Sequence, residues 1–154
     1  MYSPLLLLHS WLRWIVLLTG LFAVVRAMSG TNGHRAWTAA DGKPGLYFIA
    51  SLDLQLLIGL ALYLVFSPTL QVAFSNIGAA MRNPEYRFFV AEHFLGMLVA
   101  IGLAHVGRAR SKKAQTDAGR FKSAAIFYGL ALLIILGSIP WPGMAAGRPL
   151  FRGL

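Results

Sequence analysis

Four apolar runs constrain this chain more than any other feature: residues 5–27, 46–67, 86–107 and 123–139. Each is about 17–23 residues long, which at 1.5 Å per residue lets a helix cross ~30 Å of hydrocarbon. The seven prolines (Pro4, Pro44, Pro68, Pro84, Pro140, Pro142 and Pro149) all fall between runs, so no proline kink is expected inside one. The pattern predicts an all-α fold: a bundle of four transmembrane helices forming one domain over residues 1–154. Composition agrees. Hydrophobic residues make up 57% of the chain and charged residues only 12%, about half the share of a soluble domain. That is too few charges to cover a water-soluble globule, and too much apolar surface for a disordered basic tail. Cysteine is absent, which excludes disulfides, thiolate catalysis, Cys-based metal sites and covalent haem attachment.

The formal charge of +9 is unevenly spread. The first connection carries Arg26, Arg35 and Lys43; the third carries Arg108, Arg110, Lys112, Lys113, Arg120 and Lys122. The opposite side has only Arg82, Arg87, Arg148 and Arg152. The positive-inside rule predicts cytoplasmic first and third loops and both chain ends outside, in the periplasm. The third loop, RARSKKAQTDAGRFK, has no interleaved aromatics, so it reads as a topogenic, lipid-facing loop and not as a nucleic-acid site. The first run lacks a preceding basic segment, which predicts a retained helix and not a cleaved leader. Between the second and third runs, SPTLQVAFSNIGAAMRNPE mixes apolar and small polar residues and predicts a short interfacial helix.

Ionisable groups within a span are costly and are functional candidates by default. They are His9 and Arg13 in helix 1, Asp53 in helix 2, and Glu92, His93 and His105 in helix 3. Helices 1 and 3 run in the same direction, and His9 and His93 lie at matched depth, on the order of 6–10 Å below the same edge. Two imidazoles so placed can hold a b-type haem iron axially, with Ser10, Glu92 or a backbone carbonyl on an outer ring nitrogen. Gly20 and Gly96 share a face with their histidines, where a macrocycle would need room. Ordinary small-residue helix packing explains them equally well. Arg13, one turn from His9, needs a partner such as a haem propionate or Glu92. His105 lies about 18 Å further along helix 3 with no histidine opposite, so one bis-histidine haem is the ceiling. Asp53 is expected to pair with His105, with Arg26 or with a quinone head group, a structural ion pair being the favoured role.

The segments HSWLRW, SLDLQLLIGLALY, RFFVAEHFLGM, GRARSKKAQTDAGRFKSAAIFYGLAL and IPWP cover most of the chain. Together they resemble a family of small four-helix bacterial membrane proteins commonly labelled cytochrome b. The resemblance implies non-covalent haem b, electron transfer, and association with respiratory or photosynthetic machinery in the bacterial inner (cytoplasmic) membrane. The family's typical polar positions, in the helix 1 HS and helix 3 EH, correspond to His9 and His93. Its helix 2 often has a histidine where this chain carries Asp53.

The leading expectation is a one-haem membrane cytochrome, an electron-transfer protein and not a stand-alone enzyme. His9 and His93 would be its ligands, with Arg13 and Arg87 near the propionates. The alternatives are a haem-free accessory subunit of a larger membrane complex, and a quinone-binding or proton-handling protein using Asp53, Glu92 and His105. No nucleophile elbow, catalytic triad or phosphate-binding glycine loop is present. Broken helices and repeated halves, the marks of a transporter, are missing as well.

Overall fold

A computed structural model describes residues 1–152, which are mostly helical, with no strand among them. Four helical segments are long and apolar enough to cross a membrane: Tyr2–Met28, Ala39–Phe66, Pro84–Lys113 and Asp117–Ser138. All are longer at their starts than the apolar runs alone suggest, because residues read as breakers are built into first turns. Pro4 and Pro44 are the third residues of α1 (Tyr2–Met28) and α2 (Gly42–Ala61). Pro68 and Pro84 open α3 (Pro68–Ser75) and α5 (Pro84–Arg87). First-turn N–H groups have no helical partner, so proline costs nothing there.

Side-chain caps fix several other boundaries. Thr38 and Asp41 form a reciprocal capping box ahead of α2, and Ser67 caps α3 by accepting from the Leu70 N–H. Asn76 splits the interfacial stretch into α3 and α4 (Ile77–Arg82), capping the latter, so the one expected short helix is in fact two. Asn83 accepts from the Glu85 and Tyr86 N–H groups. Thr116 caps α7 (Asp117–Ser138). Each such cap is worth about 1 kcal/mol.

The helices form a closed ring: α1 packs on α2 and α7, and α6 (His93–Lys113) packs on α7 and α2. The shared core contains Val16, Phe48, Leu52, Ala104, Tyr128 and Ile135. Without a hydrophobic drive between helices in lipid, close van der Waals packing has to hold them, and small residues permit it. Gly45 admits the Tyr128 hydroxyl and Gly107 admits the Cβ of Phe127; a Cβ on either glycine would clash with that atom. Large apolar side chains face outward, with Leu18, Leu57, Leu64 and Leu133 each about two-thirds exposed. A hydrocarbon solvent is what such a surface requires.

Two features depart from plain α-helix. The second span ends in a π-helical turn, Leu62–Phe66, and the third contains another, Phe88–Glu92, immediately before His93. Neither involves proline. The residues after Ile139 leave α7 and fold back across α1: the Trp11 indole N–H donates to the Arg152 carbonyl (3.1 Å), and Phe151 stacks on Trp14 at 5.2 Å.

Candidate functional site

His9 in α1 and His93 at the start of α6 face each other with ring centres 6.3 Å apart and planes inclined by 72°. The π turn before His93 has a direct structural role here. It packs Phe88 and Phe89 beside the imidazole, at 6.0 and 6.4 Å. It also offers the Val90 carbonyl to the Tyr63 hydroxyl, which donates to it at 2.8 Å. Tyr63 itself belongs to the π turn of the second span, so the two irregular turns are tied together. Such turns cost helical regularity and cluster at functional sites.

The outer nitrogen of His93 is held by neither Ser10 nor Glu92. Its Nδ1 lies 2.7 Å from the carbonyl oxygen of Ser138, the last residue of α7. A terminal helix carbonyl lacks an intrahelical partner and can only accept, so Nδ1 carries the proton and Nε2 is left as a lone-pair donor. Ser10 instead donates to the Leu6 carbonyl (2.7 Å). Glu92 pairs with Arg87 at 2.7 Å, both about half exposed. Arg87 therefore does not reach the histidines, and neither does Glu92.

Around the two rings runs a cavity that extends from Tyr2 and the chain's tail to Val16, Leu52 and Ile135 in the core. From Tyr2 to Val16 that is about 20 Å along α1. His9 Nδ1, Arg13 Nε and Gln55 Oε1 are the three buried side-chain polar atoms without a hydrogen-bond partner among the described residues. All three side chains line this cavity. Buried orphan donors and acceptors are costly, about 1–3 kcal/mol each, and three in one cavity point to a ligand that satisfies them. Gln55 Nε2 donates to the His9 carbonyl at 3.0 Å. Gly59, one turn on, leaves space beside the imidazole: a Cβ there would lie 3.2 Å from His9 Cε1.

The charge in this cavity is cationic. Arg13 donates to the Leu150 carbonyl at 2.5 Å, and so is held by the folded-back tail instead of by a carboxylate. The tail supplies Arg148 and Arg152 to the same lining. Arg148 also bonds Glu85 at 2.6 Å and lies over the Phe89 ring at 4.9 Å. The second arginine expected near the histidines, Arg87, is thus replaced by two from the tail. Gly20 and Gly96 are helix-packing residues. A Cβ on Gly20 would stand 2.8 Å from Phe48, and one on Gly96 2.1 Å from Ser138 Oγ. Gly20 lies a further 16 Å or so along α1 from His9, past the histidines. Gly96 lets the end of α7 approach α6, which brings the Ser138 carbonyl to His93.

Asp53 and His105 meet elsewhere, between α2 and α6, with Asp53 Oδ1 2.9 Å from His105 Nε2 and both side chains about half exposed. Of the three partners expected for Asp53, His105 is the one found. Gln55, Gly59, Tyr63, Ser138, Arg148 and Arg152 complete the site without having been singled out for it. A usable signal existed for the first two, a polar residue and a glycine four apart on one helical face.

No group of three or more His, Asp or Glu residues able to hold a bare metal ion occurs among the described residues. Two imidazoles fit a metal whose remaining ligands come with it. An iron at about 2 Å from one nitrogen of each ring would set the ring centres roughly 6 Å apart. The donor set therefore suits a haem: two neutral nitrogens, one with its tautomer fixed, in an apolar cavity edged by guanidinium groups. No family model, curated protein or solved structure matches this chain.

Proposed function

We propose that this protein is a b-type membrane cytochrome carrying one non-covalent haem between His9 and His93. The observation that carries the reading is the convergence of the facing imidazoles, 6.3 Å apart, with three orphaned buried polar atoms in one cavity. The group, when bound, supplies reversible one-electron chemistry, and the protein tunes it through ligands, burial and charge. His93 would ligate through Nε2, its basicity raised by the Ser138 carbonyl on Nδ1. His9 would supply the second ligand, and Gly59 leaves room beside its ring. Arg13, Arg148 and Arg152 provide the cations that two propionates require. Leu6, Val16, Met97 and Ile135 line the cavity and would keep water from the bound group. The protein sits in a bacterial inner membrane with both chain ends on the outer side. It hands electrons to or from a membrane partner such as a quinol-linked or photosynthetic complex.

A visible spectrum of the purified protein, oxidised and then reduced with dithionite, tests this. The expected result is a sharp reduced α-band of b type that is lost in both His9→Ala and His93→Ala. A colourless, helical protein after expression with ample haem would refute the reading.

A further inference from the structure

At the opposite end of the bundle, where α2 and α7 begin and α6 ends, a second hollow of about 360 Å³ opens between the helices. Four cationic side chains line it: Lys43, Arg108, Lys112 and Arg120. None of the four takes part in a salt bridge among the described residues. The one carboxylate in the lining, Asp41, is already committed. It is buried, it is bonded to both Arg26 and Arg35, and it accepts from the Thr38 N–H and hydroxyl at 2.8 and 2.7 Å. The four cations of the hollow therefore have no carboxylate partner among the described residues.

Two of them are also pre-positioned. Arg108 donates from one terminal nitrogen to the Gly42 carbonyl (3.2 Å), and Arg120 donates from Nε to the Ala114 carbonyl (3.4 Å). Each guanidinium is thereby anchored to backbone, and Arg108 also reaches the Tyr128 hydroxyl at the wall of the hollow. Guanidinium forks match phosphate oxygens in geometry as well as charge. Trp37 closes one side, its ring edge-on to Phe121 at 4.7 Å. Its amphipathic indole suits the boundary between hydrocarbon and headgroups.

We propose that this hollow binds the phosphate of an anionic glycerophospholipid. The shared chemistry is a phosphate ester, and depth selects the lipid as its source. The hollow lies where the apolar spans end, level with the headgroups of the leaflet those ends contact, and basic pockets between helices at that level take anionic lipid heads. The site is independent of the haem reading, since its residues lie at the far end of the bundle from His9 and His93.

The chain has four lysines, and they divide evenly: Lys43 and Lys112 line the hollow, while Lys113 and Lys122 flank it. Amine-reactive labelling of the wild-type protein, read by peptide mass spectrometry, needs no variant that could fail to fold. The protein is compared in nanodiscs of phosphatidylcholine and of phosphatidylcholine with phosphatidylglycerol, with inorganic phosphate as a third arm. The expected result is that phosphatidylglycerol slows labelling of Lys43 and Lys112 by about fivefold or more, with a much smaller effect on Lys113 and Lys122. Equal slowing of all four would mean diffuse surface charge and would overturn the proposal, as would no slowing. Protection of Lys43 and Lys112 by inorganic phosphate alone, with no added effect of the lipid, would assign a soluble anion and overturn it too.

Discussion

At the scale of single residues, the site depends as much on what is missing as on what is present. Gly59 has no side chain where one would meet His9 at 3.2 Å, while Gly102 has open space where a Cβ would go. The two positions make a matched test of whether the space beside His9 is used. Gly59→Val is expected to lower the haem-to-protein ratio of the purified protein severalfold with helicity retained. Gly102→Ala is expected to leave that ratio unchanged and, by reducing unfolded-state freedom, to alter stability by no more than about 0.4–1 kcal/mol. Pyridine haemochrome quantification with circular dichroism checks both. Equal haem content in the two variants would contradict the placement. The pairing of His9 with His93 was readable from depth counting because both lie within a few residues of the same edge, on spans that run in the same direction, and the π turn before His93 changes its depth little. The role of Gly96 was not readable. Its face is the one expected, but its neighbour, Ser138, comes from another helix, and the period of one helix does not show which residue of a second helix meets it.

Among elements, the π turns and the tail decide what the histidines see. Arg87 and Glu92 stand five residues apart, a separation that a π turn brings onto one face, and their 2.7 Å pair is the outcome. Regular α-helical spacing does not bring positions 87 and 92 together, so the expectation of Arg87 near the cofactor left this pair out of account. The tail misled for the opposite reason. Rich in glycine and proline, it has no period from which to place Arg148 and Arg152, yet it is fastened across α1 by Trp11, Arg13, Trp14 and Phe151. Phe151 packs on Trp14 at 5.2 Å, inclined by 11°, and on Trp11 at 5.9 Å, and one substitution removes both contacts while leaving the tail's hydrogen bonds. An aromatic pair contributes about 0.5–1.5 kcal/mol, so Phe151→Ala is expected to speed haem loss by roughly 2–10-fold. Transfer of haem to an excess of apomyoglobin, followed by absorbance, measures it. An unchanged rate would show that the tail does not hold the cavity closed.

For the whole molecule, the distribution of charge carries the argument, because a bundle of four apolar helices is the same object upside down. The bundle, its helix number and the interfacial segment could all be read from the apolar runs, since hydrocarbon thickness leaves helical length little freedom. Direction rests on other physics, the excess of Lys and Arg at the helix ends that flank the loops 29–41 and 114–116, with Arg35 in the first of them. The absence of cysteine makes that orientation directly testable, since any introduced cysteine is unique. Asn32→Cys and Gln115→Cys lie at exposed positions on the basic side; Asn76→Cys and Gly143→Cys are exposed at the other end. A membrane-impermeant maleimide applied to intact spheroplasts is expected to label the second pair and to reach the first only after lysis. The reverse pattern would invert the molecule. It would put the histidine pair near the inner face and the basic hollow near the outer one, and any electron acceptor would then have to be sought on the cytoplasmic side.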